Sequence, residues 1–246
     1  MNAAISRIRK TRNNSEIFEH KPIRLDFDRV NELTYQLNAN FAELYMMVRS
    51  NDINIDEFVK RFTMNLYIVL NMFDEMGVYP DYFFDEIVKM NIEYKKLAND
   101  QSIRGNYQLF KNVNLSARVS EAIKKGLEKG YYRIQSYPKK DVNENFLEIV
   151  GFFESFNIPY NINTKEQCVK VFSALEHNHV SIIESFINDD DIVDDIEYLS
   201  RLLFEYMTFF VSMGIYPKEH LDKYIESIET IHDEENKPQK WNYLKK

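Results

Sequence analysis

Met76-Gly77-Val78-Tyr79-Pro80 and Met213-Gly214-Ile215-Tyr216-Pro217 are near-identical pentapeptides whose glycines lie 137 positions apart. Each closes an aromatic-rich apolar run and opens an acidic, helix-like run. A glycine after the last apolar position suits the left-handed residue that ends a helix. A proline three residues later suits the first turn of the next helix, where its missing N–H costs little. Matching flanks around both copies point to an internal repeat.

Outward from the first copy, Val30, Leu33, Leu37, Phe41, Leu44, Tyr45 and Val48 recur at three and four and predict an amphipathic helix from Asp28 to about Val48. Ser50-Asn51-Asp52 breaks it, and Asp56 is expected to cap the next helix, which runs through Phe58, Phe62, Leu66, Val69, Leu70 and Phe73 to Met76. The helix after Pro80 carries Phe83, Phe84, Ile87, Val88, Ile92 and Leu97. Around the second copy the expected helices are Phe146 to Phe156, Thr164 as cap to about Phe186, Ile196 to Met213, and Pro217 to about His232. Between them lies a weak helix, Leu115 to Lys129, and a Tyr137-Pro138 turn. Met1 to Arg12 reads as a frayed basic start, 13–27 as a loop or short helix, and 233–246 as a charged tail in which Trp241 and Tyr243 could dock. The expected fold is all-α. Units 15–100 and 143–232, joined by a basic connecting segment at 101–142, pack as two similar helical bundles about an internal pseudo-two-fold.

Composition narrows the function classes. Six Gly and six Pro in 246 residues favour helix over a turn-rich β fold. The single cysteine, Cys168, permits no internal disulfide and no cysteine zinc cluster, which fits a reducing, cytoplasmic setting. No apolar run approaches the ~18–20 residues that span a bilayer, so no membrane partner is expected. A net charge of −8 argues against nucleic-acid binding, which rests on neutralising phosphates. The charge is uneven: residues 101–140 hold nine basic side chains against Glu121 and Glu128. That strip is either a solvated connector or a face for phosphate or an acidic partner.

Several stretches resemble one family. Phe146 to Pro159 (FLEIVGFFESFNIP) looks like the opening segment of the all-α NTP pyrophosphohydrolases, the MazG and phosphoribosyl-ATP pyrophosphohydrolase-like superfamily. Ala174 to Glu184 (ALEHNHVSIIE) and Asp191 to Leu203 (DIVDDIEYLSRLL) are similar to its two acidic helices. Gly214 falls where that family keeps a glycine, and Phe84 to Asn91 (FDEIVKMN) resembles its final helix, asparagine included. The resemblance covers roughly 20–99 and 144–232. It implies four carboxylates on two adjacent helices holding Mg²⁺ against a triphosphate, with water releasing a nucleoside monophosphate and pyrophosphate.

The chain departs from that pattern where the chemistry would lie. In the first half the first acidic pair aligns with Asn40 and Glu43, and the second with Lys60 and Met64, or with Arg61 and Asn65 one residue on. In the second half the pairs fall on Asn178 and Ser181, and on Glu197 and Arg201. Cations at ligand positions repel Mg²⁺. The resemblance therefore leaves Glu43 and Glu197 as the candidate metal residues, and Lys89 and Asn91 as candidates for phosphate. No catalytic residue is assigned.

The remaining chemical side chains read as structure. His177 and His179 stand two apart, which does not suit one helix face, and are expected on the surface or in the core. Asp189-Asp190-Asp191 with Asp194 and Asp195 reads as a solvated acidic turn, Cys168 as an inert core thiol, and Phe204, Tyr206, Phe209 and Phe210 as core. Three functions stay open. The leading one is a degenerate tandem member of the superfamily that binds a nucleotide or a protein partner, with weak or no hydrolase activity. The second is an active Mg-dependent nucleoside triphosphate pyrophosphohydrolase whose composite site joins Glu43 and Glu197, assisted by Glu57, Glu176 or Asp194. The third is an unrelated all-α interaction module.

Overall fold

The computed structural model describes residues 1–11, 27–76, 78–99, 140–187 and 192–235, together with positions 117, 121 and 124. Gly77, Trp241, Tyr243, the Asp189–Asp191 turn and most of the connecting segment lie outside the described residues. Within them the chain is all-α, with no strand. The helices are α1 (Asn2–Thr11), α2 (Phe27–Arg49), α3 (Ile55–Glu75), α4 (Pro80–Asn99), α5 (Val142–Ser155), α6 (Lys165–Ile187), α7 (Ile192–Met213) and α8 (Pro217–Glu235).

Two helices form the centre. On α3, Phe58, Phe62, Leu66, Val69, Leu70, Met72 and Phe73 are fully buried. The same holds on α7 for Ile196, Leu199, Leu202, Leu203, Tyr206, Met207, Phe209 and Phe210. Helices apolar on most of their circumference belong inside, and these two pack against one another. Phe62 lies flat on Phe209 with ring centroids 3.7 Å apart, and Tyr206 meets Phe62 edge-on at 5.7 Å. Half-apolar helices cover this pair: α2 and α8 lie on α3, α6 and α4 lie on α7, and α2 meets α6.

The helix ends follow side-chain chemistry. Asn54, not Asp56, caps α3, its Oδ1 accepting from the Asp56 and Glu57 amides at 3.0 and 3.2 Å. Asp56 instead sits in the first turn, where a carboxylate opposes the helix dipole. A capping box of Asp141 and Glu144 starts α5 four residues before Phe146. Thr164 caps α6 as expected, its hydroxyl accepting from the Gln167 amide at 3.2 Å. Pro80 and Pro217 are the first residues of α4 and α8.

The two pentapeptides share one backbone bond. The Val78 amide donates to the Phe73 carbonyl at 2.9 Å, and the Ile215 amide to the Phe210 carbonyl at 2.9 Å. This is the long-range bond of a Schellman helix end. Gly214 has φ +68°, and a Cβ there would sit 1.8 Å from Asn161 Oδ1. Asn161 is held in place because its amide and that of Ile162 donate to the Val211 and Ser212 carbonyls at 3.2 and 2.7 Å.

The expectation of a frayed start is overturned. Met1, Ile5 and Ile8 share one face of α1 and are fully buried. The basic residues that suggested fraying leave that face free, and Arg7 reaches Asp222 of α8 at 2.9 Å. The Met1 amino group donates to the Lys140 carbonyl at 2.6 Å and to Asn145 Oδ1 at 2.8 Å, beside the Asp81 carboxylate at 3.0 Å. Composition alone hides such an anchor, because three large apolar residues among Arg7, Arg9, Lys10 and Arg12 look like a polar tail.

Gly214→Ala should lower stability by about 1–3 kcal/mol in urea unfolding, from backbone strain plus the clash with Asn161. Asn161→Ala in the same chain should recover part of that loss. A Gly214→Ala protein as stable as the parent would contradict this account of the turn.

Candidate functional site

α2 carries Asn40 and Glu43 one turn apart, and α3 presents Arg61 to them. The Arg61 guanidinium donates to Asn40 Oδ1 at 3.3 Å through Nη1, pairs with the Glu43 carboxylate through Nη2, and donates to Glu57 Oε1 at 3.1 Å through Nε. Lys60 lies on the outer side of Glu57 at 3.5 Å. Of the two alignments left open by the sequence, it is Arg61 that faces α2, and Asn65 is fully buried in the core. Three oxygen-bearing side chains thus converge on a cation that the chain itself supplies.

Glu197 meets the same fate by a different route. Arg201, one turn on along α7, donates to Glu197 Oε1 at 2.6 Å through Nη2 and at 3.1 Å through Nε. The same guanidinium touches Met90 Sδ of α4 at 3.7 Å. Arg61 and Arg201 are not repeat equivalents, since their separation is 140 residues where the pentapeptides are 137 apart. Each of the two candidate acids nevertheless has an arginine of its own.

Glu57, the assisting acid proposed from sequence, belongs to the Arg61 cluster. Glu176 is exposed on α6, and the side chains of Asp194, Asn178 and Ser181 lie outside the described residues. Among the described residues no group of three or more His, Cys, Asp or Glu side chains is placed to hold a metal ion. The donor set does not fit Mg²⁺, which wants carboxylate oxygens free of a competing cation.

The phosphate candidates are engaged within their own helix. Lys89 Nζ donates to Glu86 Oε1 at 2.6 Å, and this bond raises its pKa. Asn91 Nδ2 donates to the Ile87 carbonyl at 2.9 Å. At the end of the basic strip, Lys140 turns inward to Asp85, 2.8 Å from both carboxylate oxygens, and also pairs with Glu148. Burial pulls the Lys140 pKa down, but the bonds to Asp85 and Glu148 outweigh it and the net shift is upward. An open cleft of about 590 Å³ lies where the α2–α3 turn meets the start of α6, lined by Asp52, Asn54, Asp56, Asn163 and Lys165 with Ile53 and Ile55. None of the sequence candidates lines it.

One reading is corrected: Asp195, expected in a solvated acidic turn, is buried within α7, 4 % exposed. Cys168 is buried 3.9 Å from Met213 Sδ, and burial pushes its thiol up to about 11. Tyr206, Phe209 and Phe210 are core. His179 is also core, 1 % exposed, with its ring 3.8 Å from Phe41 and nearly parallel to it. Phe41 stacks in turn on Phe172 at 4.7 Å. Among the described residues neither His179 ring nitrogen has a hydrogen-bond partner, and burial lowers its pKa from 6.5 to about 4. No helix among the described residues is long and apolar enough to cross a membrane.

The His179 shift has a definite sign. The unfolded chain takes up the proton at higher pH than the folded one, so stability is complete above about pH 6.5 and falls as pH drops toward 4. The loss should total about 3 kcal/mol at 1.36 kcal/mol per pH unit. His179→Phe should remove that part of the acid sensitivity in urea unfolding between pH 7.5 and 4.5. Parallel pH curves for the two proteins would contradict it. No family model matches the chain, and no curated protein or solved structure matches it either.

Proposed function

We propose that the chain is a degenerate tandem member of the all-α NTP pyrophosphohydrolase-like superfamily, a nucleotide- or partner-binding protein with weak or no hydrolase activity. One observation carries the reading: each acid left at a metal position, Glu43 and Glu197, is ion-paired to an arginine. A guanidinium is charged at every accessible pH and presents its donors in a fixed fork, so it competes with a divalent ion for the same oxygens.

The tandem part of the reading has its own support. α4 lies on α7 and α8 on α3, while α1 meets α3 and α5 meets α7. Asn2 Oδ1 accepts from the Asp81 amide at 3.3 Å, and Asn143 Oδ1 from the Lys218 amide at 3.2 Å, at the starts of α4 and α8. Asp85 and Asp222, 137 residues apart, each receive a cation from the helix region preceding the other unit's core, Lys140 and Arg7. These paired contacts are what a pseudo-two-fold relating α1–α4 to α5–α8 would produce, a first unit that includes α1 and so starts before residue 15. The single buried thiol supports a reducing, cytoplasmic setting.

The test is a panel of ribo- and deoxyribonucleoside triphosphates with Mg²⁺ or Mn²⁺, assayed for released pyrophosphate. The reading predicts no turnover above that of the double variant Glu43→Ala/Glu197→Ala. Turnover that disappears in that variant would replace it with an active composite site.

A further inference from the structure

α2 is apolar on two opposite faces. Val30, Leu33, Leu37, Phe41 and Leu44 are buried on the inner one, and the helix packs on α3 and α6. On the outer one stand Tyr35, Ala39, Ala42 and Met46, spaced four, three and four and all exposed. At about 100° per residue these four fall within one narrow stripe, opposite the buried set. Tyr35 is 68 % and Met46 64 % exposed, more than any other large apolar side chain among the described residues. Glu32 and Arg49, also exposed, flank the same stripe, one at each end. The Arg49 guanidinium carbon lies 5.8 Å from the Tyr45 ring centroid, which keeps its charge at the C-terminal end of α2.

This stripe is its own complement when reversed. Its midpoint falls between Asn40 and Phe41. A second α2 laid antiparallel about a two-fold at that point brings positions equidistant from it to one level. Tyr35 then meets Met46 of the second copy, Ala39 meets Ala42, and Glu32 comes level with Arg49. A ring against a thioether is a favourable contact, and the central alanines let the two backbones approach. The acidic end of each helix lies beside the basic end of the other, whereas a parallel pairing would set like charges together. A two-fold interface uses the same patch on both copies and so requires such self-complementarity. We propose that α2 pairs antiparallel with α2 of a second copy of this chain, forming a two-fold dimer through Tyr35, Ala39, Ala42 and Met46. One helix face buries less than the ~800 Å² per partner of a standard interface, so the dimer belongs to the weak, transient class. The pairing joins two whole chains and goes beyond the tandem reading above, and no pyrophosphate assay bears on it.

Sedimentation velocity of the parent chain from about 10 μM to 1 mM should show a monomer passing into a dimer. Ala42→Lys, a helix former at an exposed position, should leave a monomer throughout that range with the circular dichroism of the parent. Glu32→Arg and Arg49→Glu should each weaken the dimer about threefold, and the two together should restore it. Cross-linking reads the direction of the pairing. Under mild oxidation Ala39→Cys should form a disulfide, because its two copies lie only about 4.5 Å apart along the helix axes, and Tyr35→Cys should not, because its two copies lie about 16 Å apart along them. Cys168 is buried and does not compete. A parent that stays monomeric throughout, which leaves the face to a different protein, would overturn the proposal. So would a dimer indifferent to Ala42→Lys, a double charge reversal no better than either single one, or equal cross-linking of Tyr35→Cys and Ala39→Cys.

Discussion

Phe62 lying flat on Phe209 at 3.7 Å is the contact around which the other helices take their places. The stacked pair itself adds only about 0.5–1.5 kcal/mol beyond its buried area. Its weight is geometric. It fixes how α3 and α7 pack, and every remaining helix is laid against one or both of these two. α2 and α6 meet beside it, which brings Phe41, Phe172 and His179 into one stack. The centre is not purely apolar, since Asn65 of α3 and Tyr206 of α7 are fully buried in it.

Charge neutralisation governs the candidate site. Glu43 leaves 58 % of its side chain exposed, and a pair of that kind adds at most about 1 kcal/mol to stability. The consequence of Arg61 lies elsewhere. By donating to Asn40 and Glu57 as well as Glu43, it occupies the oxygens that α2 and α3 turn toward each other. A helix hairpin with acids facing inward must supply a counter-ion from solution or from its own sequence. Here the counter-ion is covalently part of α3.

The sequence carried the helices and the turn chemistry well because Gly214, Pro80 and Pro217 act through local backbone rules. It also marked Arg61 and Arg201 as departures from an acidic pattern. It left open whether Lys60 or Arg61 faced α2, since one residue of register rotates a helix face by about 100° and only packing decides. The cap of α3 was expected at Asp56 and falls at Asn54, since both side chains carry an acceptor oxygen and only the local backbone decides between them. The anchoring of α1 escaped notice because three apolar residues in a short basic stretch carry little periodic signal. Most opaque was the contrast between Tyr79 and Tyr216, near-identical in local sequence and opposite in exposure.

The central claim is that Arg61 stands in for a divalent ion between α2 and α3. Titration with Mn²⁺, followed by electron paramagnetic resonance of the free ion, tests it most directly on the intact protein and on Arg61→Ala. The account predicts no binding by the parent. It predicts one weak site in Arg61→Ala that is lost again when Glu43→Gln is added. Tight Mn²⁺ binding by the parent that vanishes with Glu43→Gln would contradict it.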